Sequence, residues 1–338
     1  MTEERTQQIF CFGEVLLRLV TTPGARLMNA STLAVHCGGA EANVASMLAQ
    51  LGRRAQMVTV FPHSGLGERC LGGLRQSGVG TSKSICANGR LGLYFMEQDA
   101  RGSGRILYDR AHSVFAQHAD EIDWGSISSD MYWLHLSGIN IALGDKPANA
   151  ALLAVEAARD AGATISFDVN HRASLWKDCP ENSSDLMRRI IDMSDVLFAS
   201  PADLSRLLDF NFECETAGDR RRAAEAAFSA FERPSIIACT LRSFDDGRQD
   251  LTARIDSREK GYETGNATIG PVIDRIGSGD SFAAGIIDAL LSEAPLELCA
   301  LRGLAAAVMK HSIAGDRWIG TRDDLDGFDP FVAGDVLR

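Results

Sequence analysis

The stretch DRIGSGDSFAAG at residues 274–285 decides how the rest of the chain is interpreted. Glycines on either side of Ser278 let the backbone turn, and the apolar run at residues 282–291 has the character of a helix rather than a strand. The N–H groups of this turn would therefore begin a helix, where unpaired donors and a partial positive charge gather. Such a helix start suits a phosphate, or a phosphoryl group that is being transferred.

Asp280 is unexpected in an anion site, because a carboxylate repels an anion. One interpretation is that Asp280 accepts a proton from a hydroxyl group that attacks phosphorus. The simpler alternative is that Asp280 caps the helix, since Asp is a favoured N-cap residue and glycines often precede helices. The spacing alone does not separate the two.

The full stretch resembles the C-terminal signature of the ribokinase-like (PfkB) sugar kinases at nearly every position. In that family the aspartate is the catalytic base, so the resemblance implies this role for Asp280. It also implies that the backbone amides of Gly277, Ser278, Gly279 and Asp280 form an anion hole.

A second informative stretch, GGAEANVA at residues 38–45, is expected to open a helix that runs to Leu51 and stops at Gly52. The glycine pair allows a ligand to approach closely, and the amide of Asn43 can donate to and accept from a hydroxylated molecule. The alternative is a tightly packed helix start with Asn43 on the surface. The two glycines and the following Asn match the N-terminal signature of the same kinases, and this resemblance implies that Gly39 and Asn43 bind a sugar.

Residues 82–112 contain alternating strands with no helix between them, which is typical of an antiparallel lid outside a parallel sheet. Tyr108 and Arg110 are two residues apart and therefore share one strand face. Taken singly, each could lie on a solvent-facing polar side. The Tyr-x-Arg spacing resembles the lid of the 2-keto-3-deoxygluconate kinases in this family, and the resemblance implies that Tyr94, Tyr108 and Arg110 contact the acid sugar.

From residue 132 onward, predicted strands at 132–136, 164–167 and 196–199 alternate with predicted helices at 146–161 and 184–193. This βαβ order indicates a parallel, doubly wound sheet. Ligands of such sheets bind at the carboxyl ends of the strands. The site is therefore expected at that edge.

Three candidate residues, Ile139, Asn170 and Arg172, follow predicted strands and should face one crevice. Ile139 is assigned to the sugar and Asn170 to the nucleotide. Arg172, followed by Leu175 and Trp176, again resembles the keto-deoxy-gluconate kinases and is assigned to the substrate, where it could reach the sugar acid or the phosphates. An arginine in this place is more often a surface ion pair.

Two loops depart from the family pattern. Many relatives carry an asparagine and, three residues later, a glutamate that helps to organise magnesium, whereas this chain has Ser200 and Asp203. Asp203 is expected to keep a carboxylate near Mg²⁺ through water, and Ser200 is assigned to the nucleotide. Thr240 and Arg242, in the sequence Thr-Leu-Arg, replace the more usual Thr-x-Gly and are also assigned to ATP.

A long apolar helix is expected at residues 296–311, in a region that the family packs against the adenine and the sugar. The resemblance implies that Asp316 contacts a sugar hydroxyl and that Lys310 contacts the nucleotide. The helix dipole offers another explanation for Lys310, because lysine is favoured in a last helical turn.

Composition limits the function classes. The chain has 338 residues, 45% apolar and 23% charged, which suits one large α/β domain, alone or with a smaller appendage. A net charge of -11 argues against binding to nucleic acid or to an anionic membrane. The N-terminus lacks a signal-peptide pattern and no apolar run has membrane-spanning length, so a cytoplasmic protein is expected. The eight scattered cysteines, without a Cys-x-x-Cys pair, are expected to be reduced and mostly buried.

The sequence therefore predicts an α/β fold of the ribokinase-like type, with a doubly wound, mostly parallel sheet flanked by helices and a small antiparallel β lid. The expected core comprises residues 1–14, 38–81 and 113–338, and the expected lid comprises residues 15–37 and 82–112.

The function implied by the resemblance is transfer of the γ-phosphoryl group of ATP to the terminal hydroxyl of 2-keto-3-deoxygluconate. Mg²⁺ and a monovalent cation such as K⁺ are the further cofactors expected. The alternatives are a kinase of a neutral sugar, fructose or ribose, and a non-catalytic sugar or nucleotide sensor of the same fold. A homodimer is expected, with no nucleic-acid or membrane partner.

Overall fold

Apolar strands and amphipathic helices alternate along most of the chain. The computed structural model describes residues 7–98, 104–177, 179, 182–245 and 248–332. The strands are β1 (Gln8–Phe12), β2 (Leu16–Val20), β3 (Ala34–Gly38), β4 (Arg54–Val58), β5 (Val60–Pro62), β6 (Ile85–Ala87), β7 (Gly92–Gln98), β8 (Gly104–Asp109), β9 (Met131–Ser137), β10 (Thr164–Asp168), β11 (Val196–Phe198), β12 (Ile236–Asp245), β13 (Arg248–Ser257), β14 (Gly261–Glu263) and β15 (Ala267–Ile269). The α-helices are α1 (Ala40–Gln50), α2 (Gly65–Gln76), α3 (Val114–His118), α4 (Trp124–Ile127), α5 (Ile139–Ala142), α6 (Asp145–Asp160), α7 (Ala173–Trp176), α8 (Ser183–Asp192), α9 (Pro201–Leu208), α10 (Ala217–Ala230), α11 (Ser278–Leu291), α12 (Leu296–Lys310) and α13 (Arg322–Asp326).

The central sheet has the strand order β14-β13-β12-β11-β10-β9-β1-β4, and β15 also pairs with β13. From β4 to β12 neighbouring strands are parallel, whereas β13 runs antiparallel to its partners. Parallel strands are covered on both faces, which explains why most of their residues are apolar. In β1, Ile9 and Cys11 enter one apolar cluster while Phe10 and Phe12 enter the other, and all four are fully buried. The predicted doubly wound sheet is confirmed.

A second, smaller sheet has the order β3-β2-β7-β8. Its outer pairs are antiparallel, and the central pair, β2 with β7, is parallel. These strands fall almost entirely in the two segments expected to form the lid. The strand β6 lies in the second of these segments but pairs with β5 instead. The predicted separate sheet is therefore present, with one parallel pairing at its centre and with β6 outside it.

The small sheet grows directly from a central strand, because residues 13–15 alone separate β1 from β2. Arg18 on β2 and Tyr94 on β7 are register partners near the middle of this sheet. Both side chains are buried. This burial shows that one face of the small sheet packs against other parts of the molecule.

The structure bears on two expectations from composition. All eight cysteines are free thiols, of which Cys11, Cys70 and Cys299 are buried and Cys86 is exposed. Burial raises the pKa of the Cys299 thiol to about 11, so this group is protonated and inert at neutral pH. In the part of the chain that is described, no helix has both the length and the apolar character needed to cross a bilayer.

Candidate active site

A cavity of about 550 Å³ opens where the carboxyl ends of the parallel strands meet the small sheet. Its lining includes Asp168 at the end of β10, Tyr94 and Tyr108 from the small sheet, and the first turn of α11. This edge of a parallel sheet is where α/β proteins bind ligands. Every residue expected in the site from the sequence lines this cavity, except Lys310.

Helix α11 begins at the cavity, with Gly277 as its N-cap and Ser278 as its first helical residue. Gly277 has a φ of 84°, and a Cβ at this position would lie 1.8 Å from the carbonyl oxygen of Asp316. Glycine alone fits there. The first amides of a helix lack intrahelical acceptors, and glycine has no side chain to cap them. The turn therefore presents N–H donors and the positive end of the helix dipole to the cavity.

Asp280 is the third residue of α11, which excludes the interpretation that it is the N-cap. Its Oδ2 accepts a 2.6 Å hydrogen bond from the side-chain amide of Asn43. Burial raises the pKa of Asp280 to about 6, while the bond from Asn43 and the charge of Arg172 lower it. The carboxyl group is thus ionised at neutral pH and has a pKa that suits a general base.

Two further carboxyl groups line the cavity and were given no role from the sequence. Oε1 of Glu41 accepts hydrogen bonds from Ser137 Oγ at 2.6 Å and from Asn140 Nδ2 at 3.1 Å. Burial raises the pKa of Glu41 to about 7 and that of Asp168 to about 8, and the charge of Asp280 also raises both. Most residues in the first turns of α1 are small or apolar. Glu41 is charged, and this contrast was the signal in the sequence that could have identified it.

On the lid side of the cavity, the hydroxyl of Tyr94 donates a 2.6 Å hydrogen bond to Oδ2 of Asp316. The ring of Tyr108 lies 6.1 Å from that of Tyr94. Arg110 donates to Oε2 of Glu14 from Nε at 2.7 Å and from Nη2 at 2.5 Å, and both residues are buried. The charge of Arg110 is therefore already balanced by a carboxylate, which the sequence did not indicate.

Arginines line the cavity near β12. Arg242 and Arg275 both line this part of the cavity, and burial and the charge of Arg275 lower the pKa of Arg242. Arg275 donates to Oε1 of Gln249 at 3.2 Å and lies two residues before Gly277, and it was given no role from the sequence. Guanidinium groups and helix-start amides are the donors that phosphate groups prefer. Thr240 lines the same part of the cavity, and together these residues offer donors of the kind that the phosphates of a nucleoside triphosphate require.

Ser200 and Asp203 form a capping box at the start of α9. Oδ2 of Asp203 accepts hydrogen bonds from the backbone N and the Oγ of Ser200 at 2.9 and 2.5 Å, and Oδ1 accepts one from Arg206 at 2.9 Å. Over the described ranges there is no group of three or more His, Cys, Asp or Glu side chains that could hold a metal ion. The expected water-mediated contact between Asp203 and Mg²⁺ stays a prediction.

Lys310 is the expected site residue that the structure places elsewhere. Its side chain is fully buried, and its Nζ donates to the carbonyl oxygens of Ile313 at 2.8 Å and Asp274 at 3.4 Å. Burial lowers the pKa of Lys310 to about 8, although the carboxylates of Asp274 and Asp316 oppose this. The structure places its amino group inside the fold rather than on the cavity lining, and the expected contact between Lys310 and ATP stays a prediction.

Three relatives put this geometry in context. The chain is 28% identical over 323 residues to a 2-dehydro-3-deoxygalactonokinase of Haloferax volcanii, a match that covers 95% of this chain and 96% of the relative. It is 27% identical over 289 residues to a probable fructokinase-3 of Arabidopsis thaliana, which covers 84% of this chain and 78% of that protein. The crystal structure of a 2-dehydro-3-deoxygluconokinase from Thermotoga maritima has a TM-score of 0.89 and 30% identity, with 95% of this chain and 98% of that chain covered.

The match to a family description extends over nearly the whole chain, from residue 6 to residue 317. It therefore includes both glycine motifs, the small sheet and the helix that carries Asp280. This protein belongs to the pfkB family of carbohydrate kinases.

Proposed function

We propose that this protein transfers the γ-phosphoryl group of ATP to the terminal hydroxyl of 2-keto-3-deoxygluconate. The observation that carries the proposal is the position of Asp280, whose carboxylate lies in the cavity within the first turn of a helix that also offers an anion site. Phosphoryl transfer to a hydroxyl needs a base and an anion site side by side. The similarity to a 2-dehydro-3-deoxygluconokinase supports this substrate class.

In the proposed reaction, the terminal hydroxyl oxygen attacks the γ-phosphorus while Asp280 accepts the hydroxyl proton. The bond between the γ-phosphorus and the bridging oxygen breaks, and ADP leaves with that electron pair. The amides at the start of α11 hold the charge on the equatorial phosphoryl oxygens. Asn43 fixes one carboxylate oxygen of Asp280 and so orients the other.

The donors around Arg242 and Arg275 fit the phosphates of ATP. The carboxyl groups of Asp168, Asp203 and Asp280 all line the cavity, and the charges of the last two add to the effect of burial in raising the pKa of Asp168. A divalent cation would be favoured there. Mg²⁺, when bound with ATP, supplies positive charge to the phosphates, and Asp203 is the residue we assign to it through water. A requirement for a monovalent cation such as K⁺ is a further expectation.

Recognition of the sugar acid is assigned to Arg110 and Arg172, with Tyr94 and Tyr108 beside them. A guanidinium carries five N–H donors, so the pair with Glu14 leaves donors of Arg110 for a substrate carboxylate. Arg172 is exposed at the rim of the cavity and also lowers the pKa of Asp280. The charge of Arg172 therefore acts on the carboxylate that is proposed to accept the proton of the reacting hydroxyl.

A specific observation favours a neutral sugar as the second candidate. Because Glu14 already balances Arg110, this part of the cavity does not require an anionic ligand. Fructose and ribose are therefore the alternative substrates, and the similarity to a probable fructokinase agrees with the first of them. A non-catalytic sensor is the weaker alternative, because the pKa of Asp280, about 6, is that of a group able to accept a proton.

The deciding experiment measures ADP release with 2-keto-3-deoxygluconate, its galactonate epimer, fructose, ribose and adenosine under identical conditions. We expect the highest kcat/KM with 2-keto-3-deoxygluconate. A clear preference for fructose or ribose would reject the acid sugar, and no turnover with any of the five would favour the sensor. The Asp280→Asn variant, purified in the same way, controls for contaminating kinases.

We further propose that the protein acts in the cytoplasm as a homodimer. Leu19, Val35, Phe95 and Leu107 lie opposite one another across the small sheet, and Val35 and Leu107 are exposed. Apolar side chains grouped in this way are typical of interaction surfaces. Light scattering across the concentrations of the assay tests the dimer, and a mass of one chain throughout would reject it.

A further inference from the structure

Arg18 lies in the middle of the small sheet and is 1% exposed. Its register partners are His36 on β3 and Tyr94 on β7. Directly opposed residues on neighbouring strands project from the same face of a sheet. Leu16, two residues before Arg18, lines the cavity, as does Tyr94. The guanidinium therefore projects from the lid face that covers the site.

This guanidinium is shared between two buried carboxylates of the core. Its Nη1 and Nη2 donate to Oδ1 and Oδ2 of Asp274 at 3.1 and 2.5 Å. Its Nε lies 3.0 Å from Oδ1 of Asp316. A planar guanidinium can engage two acids in this way, whereas the compact ammonium of a lysine cannot reach both with the same geometry.

The two carboxylates hold opposite ends of the active site. Asp274 accepts the backbone N–H of Ile276 and that of Gly315, both at 3.0 Å, and so shapes the loop that leads into the anion-hole turn. Asp316 accepts the hydroxyl of Tyr94 on the lid, and its carbonyl oxygen lies against the α-carbon of Gly277. Arg18 thus links the pair formed by Tyr94 of the lid and Asp316 of the core to the loop that carries the donors of the anion hole.

The charges of this cluster balance. Arg18 and Lys310 supply two positive charges and Asp274 and Asp316 two negative ones, with all four side chains buried. Burial alone would lower the pKa of Arg18, but the hydrogen bonds to Asp274 and the charge of Asp316 outweigh this and hold it above its usual value. The members of such a buried set are expected to move together, because a charge displaced alone would lose its partner.

We propose that Arg18 is a positioning residue that makes the geometry of the anion hole depend on how the lid is seated over the sugar. A sugar that contacts Tyr94 or Asp316 changes the position of the Asp316 carboxylate. Arg18 moves with that carboxylate, and Asp274, which is bound to Arg18, moves in turn and shifts the backbone of Ile276. The donors of the turn at Gly277 then reach their reactive arrangement only when the sugar is bound. This inference rests on the proposed function.

The test compares wild type with Arg18→Lys and Arg18→Gln. The control is Arg26→Met, which removes an exposed lid arginine that pairs with Glu97 outside the cavity lining. We expect Arg18→Lys to lower kcat by about a hundredfold, since small misplacements of a reacting group have effects of this size. The dissociation constants of ATP and of the sugar, measured by calorimetry, should stay near those of wild type. Arg26→Met should keep wild-type kcat.

A second measurement follows the turn itself. In wild type, binding of the preferred sugar without nucleotide should slow amide hydrogen exchange in residues 275–279. The same sugar, bound to Arg18→Lys, should leave that exchange unchanged.

The outcomes separate the two proposals. If wild type phosphorylates none of the sugars, the proposed function fails and this inference fails with it. If wild type is active but sugar binding does not slow exchange in residues 275–279, the coupling is rejected while the kinase stands, even where an Arg18 variant does not fold. The coupling would also be rejected if Arg18→Lys kept the wild-type kcat. It would be rejected as well if weaker binding of the sugar or of ATP accounted for all of the lost activity.

Discussion

The side-chain amide of Asn43 donates a 2.6 Å hydrogen bond to Oδ2 of Asp280, across 237 residues of sequence. This bond joins helix α1, which follows the glycine pair, to the first turn of α11. Burial raises the pKa of Asp280 to about 6, and the donor on Asn43 opposes that rise because it favours the ionised carboxylate. The two motifs that stand out in the sequence therefore meet at the proposed base.

Asn43→Ala should move the acid limb of the activity profile to higher pH. Without this donor the ionised form of Asp280 is less stable relative to the protonated form, so the pKa of Asp280 rises above about 6. At a given pH a smaller fraction of the enzyme then carries the ionised base. The measurement is kcat/KM from pH 5 to 8, with Asn29→Ala on the exposed part of the lid as the matched control. An unshifted acid limb in Asn43→Ala would show that the bond does not set the pKa of the base.

Asp280→Asn should lower kcat by roughly a hundred- to ten-thousand-fold, because general-base catalysis contributes rates of this order. Sugar binding should be largely kept, since the amide can still meet Asn43. The comparison is with Asp160→Asn, at the exposed end of α6. Turnover near that of wild type would remove Asp280 from the base role.

The same variant should be more stable than wild type at neutral pH. The pKa of Asp280 in the folded protein, about 6, lies above the ordinary value of 3.8. The folded state therefore binds more protons than the unfolded state between these values, and the stability contributed by this group falls as pH rises through them. Melting curves should show a higher Tm for Asp280→Asn at pH 7 and a smaller difference near pH 4. A lower Tm at pH 7 would contradict the raised pKa.

Arg110→Ala should weaken binding of an acid sugar far more than binding of a neutral ketose, if Arg110 meets the carboxylate. Removing it also leaves Glu14 buried without its partner, which costs about 3 to 5 kcal/mol of stability. The double variant Glu14→Gln, Arg110→Met avoids that penalty and isolates the recognition effect. Affinities for both sugars, measured on the double variant by calorimetry, should diverge, and equal losses would refute carboxylate recognition.

Gly277→Ala should abolish the anion hole. A left-handed φ of 84° costs a non-glycine residue about 1 to 2 kcal/mol, and the new Cβ would lie 1.8 Å from a backbone carbonyl oxygen that cannot move cheaply. Gly72→Ala is the matched control, because a Cβ at Gly72 in α2 meets no atom within 4 Å. We expect loss of nucleotide binding in the first variant alone, and equal nucleotide affinity in both would show that the turn tolerates a side chain.

Much of the fold can be predicted because its pattern is local and strong. The strand predicted at 164–167 is observed as β10, Thr164–Asp168, and the helix predicted at 146–161 is observed as α6, Asp145–Asp160. Strands buried on both faces are rich in apolar residues, and the helices between them are long enough to show their period. The glycine motifs are equally local, since each depends on a turn that only glycine can make.

The contacts that the sequence does not show are those between distant residues. The Glu14 to Arg110 pair spans 96 positions and the Arg18 to Asp274 pair spans 256. The surroundings of Lys310 are hidden for a related reason: the sequence places it in the last turn of a helix, but does not show that the carbonyl oxygens of Asp274 and Ile313 accept hydrogen bonds from its amino group inside the fold. Periodicity cannot predict such pairs, because they depend on how separate elements dock.

The short connection at residues 13–15 also restricts how this enzyme can be rebuilt. A Cβ at Gly13 would lie 2.1 Å from Oε2 of Glu41, so this buried side chain would have to leave its bonds with Ser137 and Asn140. A chimera that imports the strands of another kinase between residues 16 and 38 must therefore keep the length of this connection and its bare glycine. Added residues at the outer turns would be tolerated far better than a single insertion at this junction.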